Sequence, residues 1–156
     1  MQVLPINGVD KEVVKKYWKS LEAADTLKYR LSDVDNPVWD DVLEMMSRMG
    51  SRMFVVVESG IVIAEFMLEN FTGKAAQIHF SFHPKCKNKS EACKLTLDTC
   101  FKSFDTIFGL IPIKNRVSCI FALMNGFKKL GILPSGCVYM GEIVDAQISI
   151  AVKELV

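Results

Sequence analysis

The spacing of apolar positions changes period repeatedly along the chain. Met1–Ile6 reads as a first strand. Asp10 then precedes KEVVKKYWKSLEAADTL, where Val14, Tyr17, Trp18 and Leu21 recur at helical spacing, with Asp10 as the cap. NPVWDDVLEMMSRMG predicts a second helix. Asn36 suits its cap, Pro37 its first turn and Gly50 its end, and Trp39, Val42, Leu43 and Met46 form its stripe. The register then changes. RMFVVVE and IVIAEFMLE are β-branched and aromatic runs around Ser59-Gly60, a hairpin signal. FTGK is a further turn, and AAQIHFSFHP is a third strand that Pro84 ends.

Helical spacing returns in KSEACKLTLDTCFKSFD, with Leu97, Cys100, Phe101 and Phe104 on one side and Ser90 as its cap. TIFGLIPI is a short buried strand, parallel to the strand before the helix through a right-handed crossover. NRVSCIFALMNGF is the last helix, with an apolar stripe of Val117, Ile120, Phe121, Met124 and Phe127. GCVYMGEIV and AQISIAVKEL close the chain as an antiparallel strand pair. The predicted order is β, α, α, β, β, β, α, β, α, β, β.

Composition narrows the classes. The chain has 156 residues, half of them hydrophobic, which fits one domain with a sizeable core. The formal net charge of +1 and the lack of a basic helix argue against nucleic acid as a partner. No run of about 18 uncharged apolar residues is present, so no membrane span is expected. The start, MQVLPINGVDKEVVKK, lacks the charged-then-apolar order of a signal peptide. The five cysteines, Cys86, Cys93, Cys100, Cys119 and Cys137, read as free thiols in a reducing, cytoplasmic compartment. Cys93 and Cys100 share a helix face, but no further ligands sit at metal spacing, so no metal is expected and core packing is the better reading.

The segment IPIKNRVSCIFALMNGFKKLG combines an asparagine before a helix, Gly-Phe after it, then a basic residue and another glycine: Asn115, Gly126, Phe127, Lys128 and Gly131. On residues alone, Asn115 can cap orphan N–H groups, Gly126 can take the left-handed C-terminal position, and Phe127 can return to the core. This combination, after that order of elements, resembles the GCN5-related N-acetyltransferase (GNAT) superfamily over nearly the whole chain. The resemblance implies an α+β fold: a mixed, mostly antiparallel sheet of about seven strands, flanked by four helices and splayed between strands 4 and 5. It also implies acetyl-coenzyme A as cofactor, an amine acceptor, and Asn115 facing the cofactor. Divergent GNAT-like proteins encoded by bacteriophages are similar in general character.

In the family, a loop at FHPKCKNKSEACKL wraps the cofactor pyrophosphate, which needs free backbone N–H groups and a helix N-terminus. The matching positions are Lys87, Asn88, Lys89, Ser90, Glu91 and Ala92. The family's glycines are missing here, and Glu91 brings negative charge. Lys85, Lys87 and Lys89 supply positive charge. The competing reading is a solvated basic turn with Ser90 as helix cap and Glu91 favourable to the helix dipole.

Amide formation needs a base for the amine, a polarised carbonyl and a fate for the thiolate. The resemblance gives the carbonyl to backbone N–H groups of Phe80, Ser81 and Phe82. His79, on the same strand, is the leading base because histidine titrates near neutral pH. Glu65 is the second candidate, placed by alternation on one face with Ile61, Ile63 and Met67. The competing reading for each is a solvent-facing residue of a half-exposed sheet. The family's acid, a tyrosine, falls at Ala122, and Tyr139 on the next strand is the substitute candidate. Cys119 is a nucleophile by type only.

Two functions follow. One is an N-acyltransferase acting on a small molecule or protein amine. The other is a catalytically degenerate member serving as an assembly or interaction module, with protein partners or as a homodimer, for example in a phage virion or infected host cell. The enzyme requires an open cleft beside TIFGLIPI, whereas the module allows Phe80 or Phe108 to fill it.

Overall fold

The computed structural model describes residues 1–27 and 38–154, without the side chains of 43 and 45–47. Seven strands form one sheet in the order β1-β2-β3-β4-β5-β7-β6. These are β1 (Gln2–Pro5), β2 (Arg52–Glu58), β3 (Ile61–Thr72), β4 (Ala75–Phe82), β5 (Thr106–Pro112), β6 (Lys128–Tyr139) and β7 (Glu142–Val152). The described α-helices are α1 (Lys11–Ala23), α2 (Trp39–Arg48), α3 (Lys89–Cys100) and α4 (Arg116–Met124). Neighbouring strands are antiparallel except β4 and β5, which run parallel. This is the GNAT-like architecture expected from the element order.

Local chemistry explains most of these elements. Ser59 and Gly60 both hold positive φ, 50° and 76°, as the tight β2–β3 turn requires. Asp10 caps α1 by accepting from Glu12 N at 2.9 Å. Val14, Tyr17, Trp18 and Leu21 are all buried on one sheet face, and Trp18 packs on Trp39 with ring centroids 4.9 Å apart. Val42 of α2 joins them. The remaining α2 features read from sequence, Asn36, Pro37 and the Leu43 and Met46 side chains, lie outside the described residues. The opposite face carries α3 and α4 over Phe66, which stacks between Phe54 (4.9 Å) and Phe80 (6.0 Å).

Helix α4 ends as its sequence suggests. Gly126 has φ 89°, Phe127 N donates to Ala122 O at 3.1 Å, and Phe127 is buried. Its inward face differs from the expected one. Val117, Ile120 and Met124 are 80%, 57% and 77% exposed, and Phe121, Ala122 and Phe127 make the contact with the core. The helix has 9 residues that are apolar on nearly every side, so period alone could not choose its buried stripe.

Three further boundaries are corrected. The last hairpin turns at Met140-Gly141, with φ 55° and 78°, inside the stretch expected to be one strand. Its first strand, β6, begins at Lys128 and tolerates Pro134 because it is the sheet edge. Helix α3 begins at Lys89, so Ser90 lies inside its first turn, and Asn88 holds the cap position without a side-chain capping bond. Finally, a register shift between Val56 and Val57 breaks simple alternation in β3: Met67 packs with Val62, while Ile63 packs with Val56 and Ala92 on the other side.

Candidate active site

The parallel β4–β5 ladder is short. It pairs Ala75 with Thr106, Ala76 with Ile107 and Gln77 with Phe108, and then the strands part. Past Gln77, β4 keeps its β3 partner on one side and loses its ladder on the other, so backbone groups of that stretch face a gap. A cavity of about 650 Å³ fills the gap. Ile78, Phe80 and Phe82 of β4 line it from one side, and Gly109, Leu110 and Ile111 of β5 from the other. Asn115, Ser118 and Phe121 of α4 close one end. Phe82 meets Phe121 edge-on, with centroids 5.2 Å apart, and Lys89 Nζ sits 5.7 Å from the Phe82 ring centroid.

Asn115 serves two ends at once. Its Oδ1 accepts from Ser118 N at 3.1 Å, capping α4, and the residue also lines the cavity. At α3 the first helical bond runs from Ala92 N to Asn88 O. The N–H groups of Lys89, Ser90 and Glu91 are therefore the orphan donors of the first turn, with no side-chain cap at Asn88. Lys87, Asn88, Ser90 and Glu91 are exposed there, and Ala92 is fully buried against Val56, Ile63 and Cys86. The preceding turn is held by Cys86 N donating to His83 O at 2.8 Å and Lys85 N donating to His83 Nδ1 at 3.0 Å. Burial, with Lys85 beside it, lowers the His83 pKa.

His79 lies on the cavity wall, 37% exposed. Its Nε2 is 2.7 Å from Glu69 Oε1 and 3.1 Å from Gln77 Nε2. Asn70 Nδ2 donates to Gln77 Oε1 at 2.8 Å. Glu69 and Gln77 line the cavity with His79. The sequence reading missed both: Gln77 shares the His79 face by plain alternation along β4, while the position of Glu69 opposite it depends on a bulge. Counting back from Thr72 paired with Ala75, an unbroken hairpin would set Glu69 opposite Ile78, on the wrong face. Asn70, with φ 48°, inserts the extra residue that sets Glu69 opposite Gln77. Asparagine tolerates that left-handed position, which is the sequence signal for the bulge.

The other candidates fall elsewhere. Glu65 is buried at 1% exposure, paired with Val55 and Ser81, on the His79 face but away from the cavity lining. Ser81 points from the cavity toward α1, where its Oγ meets Tyr17 Oη at 3.0 Å. Tyr139 ends β6 beside the terminal turn and is not part of the lining. Ala122, where the family carries its tyrosine, is buried and lines the cavity. Cys119 Sγ donates to Pro112 O at 3.7 Å, and burial raises its thiol pKa, which disfavours a nucleophilic thiolate. Among the described residues no group of three or more His, Cys, Asp or Glu could hold a metal, and no helix is long and apolar enough to cross a membrane.

No protein-family model matches the sequence, and no curated protein matches it. Solved structures do match it in shape. RimJ of Mycobacterium smegmatis, in complex with CoA-disulfide, superposes with TM-score 0.77 at 18% identity, over 96% of this chain and 80% of that one. A spermidine N-acetyltransferase SpeG chimera of Vibrio cholerae and hSSAT gives 0.71 at 14% identity, over 97% and 96% of the two chains. A ribosomal-protein alanine acetyltransferase of Vibrio fischeri gives 0.70 at 16% identity, over 96% and 91%. At these identities the likeness is one of fold: the chain has the GNAT fold.

Proposed function

We propose that this chain transfers an acetyl group from acetyl-coenzyme A to an amine of a small molecule or protein. The observation that carries the reading is the open cavity at the β4–β5 splay with the Glu69–His79 pair on its wall. An open cleft favours the enzyme over an assembly module, whose cleft could be plugged. Two of these solved neighbours are named as acetyltransferases, and the third is a complex with CoA-disulfide, which supports the same choice.

The residues present suit the cofactor. Uncapped N–H groups of Lys89, Ser90 and Glu91, with Lys85 and Lys87 beside them, form a turn matched to a pyrophosphate. Asn115 spends its Oδ1 on its own helix, which leaves its amide donors for a ligand in the cleft. Acetyl-coenzyme A supplies, when bound, a thioester carbonyl open to attack by an amine. Backbone N–H groups of the Phe80–Phe82 stretch polarise that carbonyl from the side where β4 has lost its ladder. His79 takes the amine proton, and Glu69 stabilises the imidazolium that results. A thiolate is stable enough near neutral pH to leave without a dedicated acid, so the replacement of the family tyrosine by Ala122 does not forbid turnover.

Calorimetric titration with acetyl-coenzyme A, followed by an amine panel assayed for thiol release, tests the reading. Micromolar binding and acceptor-dependent release are expected. His79→Ala should keep the binding and lose the release. No heat and no thermal stabilisation at millimolar ligand would overturn the reading.

A further inference from the structure

Two side chains on the cavity wall make opposite demands on one nitrogen. Glu69 Oε1 lies 2.7 Å from His79 Nε2, and Gln77 Nε2 lies 3.1 Å from the same atom. An ionised carboxylate only accepts, so Glu69 requires an N–H at Nε2. An amide nitrogen only donates, so Gln77 requires a lone pair there. Neutral imidazole has one proton for two nitrogens and satisfies one demand at a time. Gln77 is not free to turn its oxygen to the ring, because Oε1 accepts from Asn70 Nδ2 at 2.8 Å. Gln77 is also buried, at 7% exposure, which holds its amide in place.

We propose that Glu69 and Gln77 are competing positioning residues that decide which nitrogen of His79 is basic. Glu69 prevails, keeps the proton on Nε2, and leaves Nδ1 as the base. A charge-assisted hydrogen bond is about twice as strong as a neutral one, and here it is also the shorter of the two. Nδ1 has no partner among the described residues, so the lone pair falls on the nitrogen that none of them engages. Gln77 has the opposite tendency. Wherever the Glu69 carboxylate is removed, its N–H claims Nε2 and drives the ring proton to Nδ1, where it blocks the base. Glu65 is the next carboxylate along the same face, but it pairs opposite Ser81 rather than His79. The purpose of this arrangement rests on the acyl-transfer reading; its measurement does not.

Nitrogen-15 spectra of the histidine rings decide the matter on the full chain without cofactor or acceptor. A bare ring nitrogen resonates far from a protonated one, and His83→Asn assigns the signals, since the chain has 2 histidines. Wild type should show the proton on Nε2. Glu69→Leu should move it to Nδ1, and Gln77→Leu should leave it on Nε2. If the leucine variant at Glu69 does not fold, Glu69→Gln keeps the shape without the charge and should shift the proton population toward Nδ1. In the amine assay, Glu69→Leu should lower kcat about 10²–10⁴-fold with little change in KM, as expected for loss of a general base. A proton on Nδ1 in wild type, or one tautomer in every folded variant, would overturn the proposal. The tautomer switch without any acetylation would support it and count against the acyl-transfer reading instead.

Discussion

Cys93 and Cys100 show how a single buried group couples stability to pH. They lie seven apart on α3, under the sheet, and burial pushes both thiols from an ordinary 9.0 to about 12. The folded chain therefore holds these protons more tightly than the unfolded chain does. The associated stability is complete below about pH 9 and is lost as pH rises toward about 12. Urea unfolding across that window should show a falling midpoint. A Cys93→Ala, Cys100→Ala chain should start less stable, since it loses packed atoms, and should fall less steeply with pH. Equal slopes for the two chains would contradict the assignment. Gly136 is a second residue whose identity is fixed by contact rather than conformation. A Cβ there would lie 2.9 Å from both Ala146 Cβ and Leu133 O, so Gly136→Ala should destabilise by about 1–3 kcal/mol in a thermal melt.

At the scale of elements, α4 gives the sharpest contrast. Its sequence reads as apolar at 117, 120, 121, 124 and 127, yet only the Phe121–Phe127 side meets the core. Val117→Lys and Met124→Lys should each change stability by no more than about 0.5 kcal/mol, because both side chains already sit in solvent. Phe121→Lys should destabilise strongly, since it would put an unpaired charge against Phe82 and the core. The opposite ranking would restore the stripe read from periodicity. The strands β2 and β3 were legible as β-branched and aromatic runs around the Ser59-Gly60 turn, and the amphipathic α1 from its helical period and its Asp10 cap. Strand β6 was not, because Gly131, Pro134 and Gly136 look like loop chemistry and are tolerated only at a sheet edge. The same limit applies to the site. His79 and Asn115 could be read from type and position. Gln77 shares the His79 face by alternation within β4 and could have been read too, whereas the placing of Glu69 beside them depends on a register set by one left-handed residue, Asn70.

For the molecule as a whole, the proposed cofactor would bridge the end of β4, the start of α3 and the start of α4. A ligand that binds only the folded state stabilises it by mass action, about 2.7 kcal/mol at a hundredfold excess over Kd. Acetyl-coenzyme A should therefore raise the melting temperature of the wild-type chain. Ser90→Asp separates this effect from ordinary helix energetics. Ser90 is exposed in the first turn of α3, where an added carboxylate favours the helix dipole by about 0.3–1 kcal/mol. The unliganded variant should melt at the wild-type temperature or slightly above it. The same carboxylate would stand at the proposed pyrophosphate site, beside Glu91, so the ligand-induced rise should disappear. A variant that is stable alone yet insensitive to acetyl-coenzyme A would locate the phosphate site at the α3 N-terminus. A variant that still responds like wild type would move that site elsewhere, and a variant that melts early without ligand would mean that Ser90 has a packing role its exposure does not indicate.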